Sequence, residues 1–129
     1  NSNPFEDAMV SVDGMNAVMD QAIMGRAHRS MFDQKWSPFY NPMSSLLGDK
    51  RRGASGTHFY VSSEPSCYYW NMFDQVILRG SLLPFFDFDQ LIIHTEVGGR
   101  PLLKNKLIDA GVADHLPLSL SLDVEGRLT

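Results

Sequence analysis

This chain is poor in the features that usually announce a function. It holds a single cysteine, Cys67, so no intramolecular disulfide can staple it and stability cannot rest on one. One thiol is compatible with either redox compartment and fits a reducing cytoplasm best, the location expected from sequence. No apolar run approaches the ~20 residues that span a bilayer, so no transmembrane helix is expected. Basic residues are outnumbered, 11 Lys and Arg against 15 Asp and Glu, for a net charge of -4. That balance argues against a general polyanion-binding surface, although a local basic patch such as Lys50-Arg51-Arg52 remains compatible with it. Zinc-ligand spacing is missing, and Cys67 has no neighbouring base to make it a nucleophile.

What is present is an ordinary folding composition, 43% hydrophobic and 20% charged, enough to build a real core as one domain over residues 1–129. The most informative stretch runs from Gly111 to Asp123. Leu118, Leu120 and Leu122 alternate with Ser119, Ser121 and Asp123, the pattern of a half-buried strand. Pro117 cannot donate to a ladder and belongs at the strand's first position, which leaves Asp114 and His115 on the loop leading into it. A surface Asp beside a solvated His is the common reading of such a pair.

A second stretch argues for more. Trp70 to Arg79 is apolar nearly throughout, like a strand covered on both faces, yet it carries Asp74 near its start. A carboxylate there must be paired, bound to a metal or placed at an open strand end, and His115 is a plausible partner.

The remaining elements follow from local signals. Asn3-Pro4-Phe5-Glu6 combines an N-cap, a proline at the first helical position and a capping-box Glu, predicting a short helix to about Val10. Met15, Val18, Met19, Ala22 and Ile23 follow helical spacing, predicting a second helix capped by Ser11 or Asp13 and ended by Gly25. Met9, Met15, Met19 and Met24 are assigned to the core. Ala27 to Gly56 reads as a long loop region, partly packed down through Trp36, Phe39 and Tyr40. Strands are expected over Thr57–Val61, Trp70–Arg79 and Gln90–Val97 and in the run after Pro117, with one helical turn at Gly80–Pro84. Two helices and then four strands predict an α+β fold: one mixed or antiparallel sheet with helices on one face.

Taken together, Ala113-Asp114-His115-Leu116-Pro117 before a strand, Phe73-Asp74-Gln75-Val76 on an earlier one, and Asn1-Ser2-Asn3-Pro4-Phe5-Glu6 at the start resemble motifs of the endonuclease/exonuclease/phosphatase (DNase I-like) superfamily. The first matches its Ser-Asp-His-Leu-Pro-type motif, and the last is similar to the continuation of its Gly-Asp-Phe-Asn motif from the Asn onward. The resemblance covers nearly the whole chain but only the carboxy-terminal half of the family's domain. It implies half of a four-layer α/β/β/α sandwich and metal-assisted, in-line attack of water on a phosphate ester.

By that resemblance His115 hydrogen-bonds the scissile phosphate, Asp74 orients it and favours its imidazolium, and Asp114 belongs to the metal or nucleophilic-water region. Asn1 contacts phosphate or the metal's neighbourhood. The implied cofactor is Mg²⁺ or Mn²⁺, held only weakly by these residues, with Asp114 as its ligand. Substrates in the family range over nucleic acids and phosphorylated small molecules or lipid head groups, and a shared site does not choose among them. The family's early Asn and metal-binding Glu, and the Asp of the motif ahead of Asn1, are not in this chain, which implies a fragment inactive in isolation. The unpartnered inner sheet face implies a homodimer. The competing expectation is a non-catalytic binding or interaction module that keeps the fold.

Overall fold

The computed structural model describes residues 1–26, 29–31, 33–49 and 53–125. The expected helix start is present: the Asn3 backbone N–H donates to the Glu6 carboxylate, half of a capping box, and α1 covers Asp7–Val10. The Asn3 side chain, however, does not cap. Its Oδ1 accepts from the Met72 amide at 2.8 Å and its Nδ2 donates to Asn71 Oδ1 at 2.9 Å, so it ties the first residues to a distant strand.

The helix predicted from Met15 to Ile23 does not form. Asn16 adopts a left-handed backbone, φ 49°, which no α-helix tolerates in its interior. Ala17–Val18 then run extended as β1, and only Gln21–Met24 are helical (α2), capped by Asp20 through a 2.8 Å bond from the Ala22 amide. Consequently Met15 and Met19 are exposed, correcting their core assignment, whereas Met9 is buried and Met24 packs against the core. Tertiary pairing overrode a weak helical propensity: β1 pairs in parallel with Phe39–Tyr40.

In chain order the further strands are β2 (Arg29–Met31), β3 (Gln34–Trp36), β4 (Phe39–Tyr40), β5 (His58–Phe59), β6 (Trp70–Asn71), β7 (Ile92–Ile93), β8 (Glu96–Val97), β9 (Arg100–Pro101), β10 (Leu103–Lys104), β11 (Leu107–Ile108) and β12 (Leu118–Ser119). Among the described residues they form six two-stranded ladders, antiparallel except β1–β4. The fold is therefore α+β, with few, short helices. Single bridges connect ladders: Tyr40 to Leu78, His58 to His115 and Phe86 to Leu122.

Each long strand expected from sequence is shorter in fact. Trp70–Arg79 is a ladder only at β6 and bridges again at Leu78, because side chains take the amides between them: Met72 N–H goes to Asn3 Oδ1 and Asp74 N–H to Thr57 Oγ1. Gln90–Val97 is split into a 3₁₀ turn over Phe88–Gln90 and the separate strands β7 and β8. Thr57–Val61 keeps its ladder only at His58–Phe59. The turn expected at Gly80–Pro84 is a 3₁₀ helix over Gly80–Phe85.

Two apolar clusters hold these pieces. Tyr40, Met43, Met72, Val76, Leu78 and Leu91 form the larger, joined by Leu118 and Leu120. Ala54, Leu102 and Leu116 form the smaller. Burying a residue such as Leu116, 1% exposed, contributes roughly 1.5–3 kcal/mol, and it fixes the backbone next to His115. The predicted alternation after Pro117 is observed, with Leu118, Leu120 and Leu122 turned inward and Ser119, Ser121 and Asp123 exposed. No helix among the described residues is long and apolar enough to cross a membrane. The basic run Lys50-Arg51-Arg52 and His28 lie outside the described residues.

Candidate functional site

Asp74 follows β6 at a bend between the buried side chains of Met72 and Val76. That bend turns its carboxylate out of the core, and its amide is fixed by the fully buried Thr57 hydroxyl at 3.2 Å. Thr57 in turn accepts from the Leu116 amide at 2.8 Å and donates its own amide to Asn71 O at 2.9 Å. One residue thus locks the Asp74 segment, the His115 segment and β5 together. Gly56 makes this approach possible, since a Cβ there would sit 2.5 Å from Asn71 O.

The result is a direct contact between Asp74 and His115. His115 Nδ1 lies 2.6 Å from Asp74 Oδ2, with the side chains 32% and 40% exposed. A carboxylate only accepts, so Nδ1 carries the hydrogen and donates. Nε2, on the opposite side of the ring, is 4.0 Å from Asp114 Oδ2, too far for a hydrogen bond. His115 therefore presents one oriented nitrogen that has no hydrogen-bond partner among the described residues.

The structure adds a residue that the motifs did not mark. His58 stacks on His115 with ring centroids 4.4 Å apart and planes 28° from parallel, and its Nδ1 donates to the Asp114 carbonyl at 3.0 Å. Phe73 stacks against the same imidazole at 5.5 Å. Sequence gave His58 no motif; its position on an aromatic strand was the only signal, and the pairing that matters spans 57 positions.

Asp114 itself is 89% exposed at its side chain and lies 3.8 Å from His58 Nδ1. Its carboxylate approaches both imidazoles without bonding either, and only its backbone carbonyl accepts from His58. Asn1 is exposed, but its neighbours are tied down: Ser2 O accepts from Gln75 Nε2 at 2.6 Å, and Asn3 is buried. Asn1 makes no hydrogen bond to the Asp74–His115 pair among the described residues.

His58, Asp114 and His115 bring potential metal ligands within 4.8 Å of one another, but the donor set does not fit Mg²⁺. That ion requires near-octahedral oxygen ligands at about 2.0–2.1 Å, and only one carboxylate here is free of other bonds. The His58 nitrogen facing Asp114 carries a hydrogen donated to a carbonyl, so it has no lone pair to offer. Stacked imidazoles also direct their in-plane lone pairs in nearly parallel sheets, a poor arrangement around one ion.

Elsewhere, His94 Nε2 meets Ser119 Oγ at 2.7 Å across the β7–β12 pair, a cross-strand clasp. An aromatic cleft of about 340 Å³ is lined by Phe5, Leu47, Gly48, Asp49, Ser55, Tyr68 and Trp70. Comparison of the chain with protein-family models, characterised proteins and solved structures finds no match.

Proposed function

We propose that this chain is the carboxy-terminal part of a phosphoesterase or nuclease of the DNase I-like kind, in which His115 binds the phosphate of the substrate. The observation that carries the reading is the 2.6 Å Asp74–His115 contact. It fixes the tautomer and aims Nε2–H outward when the ring is charged, the geometry of a donor to a nonbridging oxygen. Asp74 holds the ring, Thr57 holds Asp74, and the exposed carboxylate of Asp114, 4.0 Å from Nε2, is the group we assign to the water or metal side of the phosphate.

A divalent ion would supply charge neutralisation and a more acidic water. Asp114 is the one oxygen donor these residues offer it, so Mg²⁺ or Mn²⁺ would need ligands from elsewhere. For that reason the chain alone is expected to bind a phosphate ester without hydrolysing it. The missing donors equally favour the second reading, a binding module that keeps the receptor and lacks the chemistry. Residues encoded ahead of Asn1 separate the two: a Gly-Asp-Phe tripeptide and an earlier Glu belong to the enzyme.

Within this proposal the ladders form one half of an α/β/β/α sandwich, and a second copy covers the open sheet face. Light scattering tests that pairing, with a monodisperse monomer at micromolar concentration counting against it. The substrate class is a phosphate ester, whether in a nucleic acid, a small molecule or a lipid head group.

Dimethyl phosphate titrated into the ¹⁵N-labelled chain tests the binding step. Nε2 of His115 is expected to shift far more than the nitrogens of His94, which serves as a surface control; equal responses would sink the reading. With bis(p-nitrophenyl) phosphate and Mg²⁺ no turnover above background is expected, and activity that survives chelator controls would overturn the inactive-fragment proposal.

A further inference from the structure

Asp74 explains one edge of the His115 ring and leaves its face unexplained. A hydrogen bond at Nδ1 alone permits the imidazole to rock about that contact, because the ring is a third exposed. A receptor nitrogen that rocks loses alignment, and geometric placement within a fraction of an ångström is what a binding constellation requires.

We infer that His58 is the positioning residue of this site, holding His115 by two independent handles. The first is its ring, which stacks at 4.4 Å on the His115 imidazole and closes one face of it. The second is its Nδ1–H, which grips the Asp114 carbonyl at 3.0 Å and so fixes the peptide leading into His115. The backbone bridge between His58 and His115 sets the register that brings both handles to bear. His58 is itself constrained, with its side chain only 17% exposed and its ring stacked with Phe73 at 5.5 Å.

The tautomer follows from the same contacts. Since Nδ1 donates to a carbonyl, a neutral His58 has a bare Nε2. His58 acts through His115 and is assigned no contact with substrate.

The inference rests on the proposed phosphate-receptor role of His115, and the two separate experimentally. Two substitutions divide the handles: His58→Phe keeps an aromatic face without the donor, and His58→Asn keeps a donor near the Nδ1 position without the ring. The first readout is the His115 Nδ1–H signal in ¹H–¹⁵N spectra, which reports the ring's fixed hydrogen bond to Asp74 with no ligand present. The second is dimethyl phosphate affinity at His115.

In His58→Ala the Nδ1–H signal is expected to be lost to solvent exchange while the amide spectrum stays dispersed, and affinity to fall by about tenfold, the low end of what partners that orient a metal-binding His contribute. Each of His58→Phe and His58→Asn should restore part of both. An unchanged His115 signal in His58→Ala overturns the inference, as does a loss that neither conservative variant restores. If His58→Ala fails to fold, the other two decide: a retained signal in either supports the positioning role, and loss in both rejects it. A wild-type chain that ignores dimethyl phosphate defeats the receptor reading alone, leaving the ring signal to judge His58.

Discussion

Two polar regions of this protein draw on the same short segment, Asn71 serving one and Asp74 the other, and are built on opposite principles. In the first, neutral amides are buried and satisfied: Asn3, Asn41 and Asn71 are at most 1% exposed, and Asn3, Asn71, Gln75 and Asn41 are linked through side-chain and backbone bonds of 2.6–3.2 Å. In the second, Asp74, His115 and Asp114 are ionisable and partly exposed, and His115 Nε2 has no hydrogen-bond partner among the described residues. A buried polar network stabilises only when every member is paired. A receptor must leave a valence open. The difference separates side chains that hold the backbone from side chains held out for a ligand.

The comparison breaks most visibly at Asn71. Its Oδ1 accepts from Asn3 and its Nδ2 donates to Tyr69 O. Asn71→Leu strands the Asn3 amide group in the interior, while Tyr69 O keeps its bond from the Tyr60 amide at 3.0 Å, and is expected to cost about 2–3 kcal/mol, read as a lower urea midpoint at unchanged slope. A stability within 0.5 kcal/mol of wild type, roughly the scatter of surface substitutions, would show that the amides are incidental.

Gly56→Ala comes next. The added Cβ meets Asn71 O at 2.5 Å, a backbone atom that cannot swing aside, so strands β5 and β6 must part. About 1–3 kcal/mol is expected for such overpacking, with the His58 and His115 ring signals displaced together because Thr57 links both segments.

Thr57→Val sharpens the boundary between the regions. Valine fills the same space and removes only the hydroxyl that accepts the Asp74 amide. An unsatisfied amide costs about 1–3 kcal/mol, and since Asp74 is half-exposed and water reaches it in part, the lower end is expected. Phosphate affinity at His115 should fall as well, because the loosened segment carries the carboxylate that orients the ring.

How much of this was legible in sequence divides along the same line. The strand after Pro117 and the partnership of Asp74 with His115 were readable because alternation and an out-of-place carboxylate are local signals. The second helix was misread for a physical reason: Met15, Val18, Met19, Ala22 and Ile23 satisfy helical spacing, but Asn16 turned left-handed and Val18 found a partner at Tyr40. The Trp70–Arg79 run was read as one ladder because its apolar content is real. What sequence could not convey is that Asn3 and Thr57, far away in the chain, take the amides such a ladder would use. His58 was invisible as a site residue for the same reason, since its meaning lies in a non-local bridge.

The smallest effect on stability should accompany the largest effect on binding, and His115→Asn is the substitution that separates them. The asparagine amide nitrogen falls near the position of Nδ1 and preserves a donor to Asp74, while Nε2 is deleted. Because the ring is partly exposed and Leu116 beside it anchors the backbone, stability should stay within about 0.5 kcal/mol of wild type. Dimethyl phosphate should then no longer perturb this corner of the protein. If the variant instead unfolds like Asn71→Leu while still responding to phosphate, His115 is a structural residue and the second region has been assigned the wrong purpose.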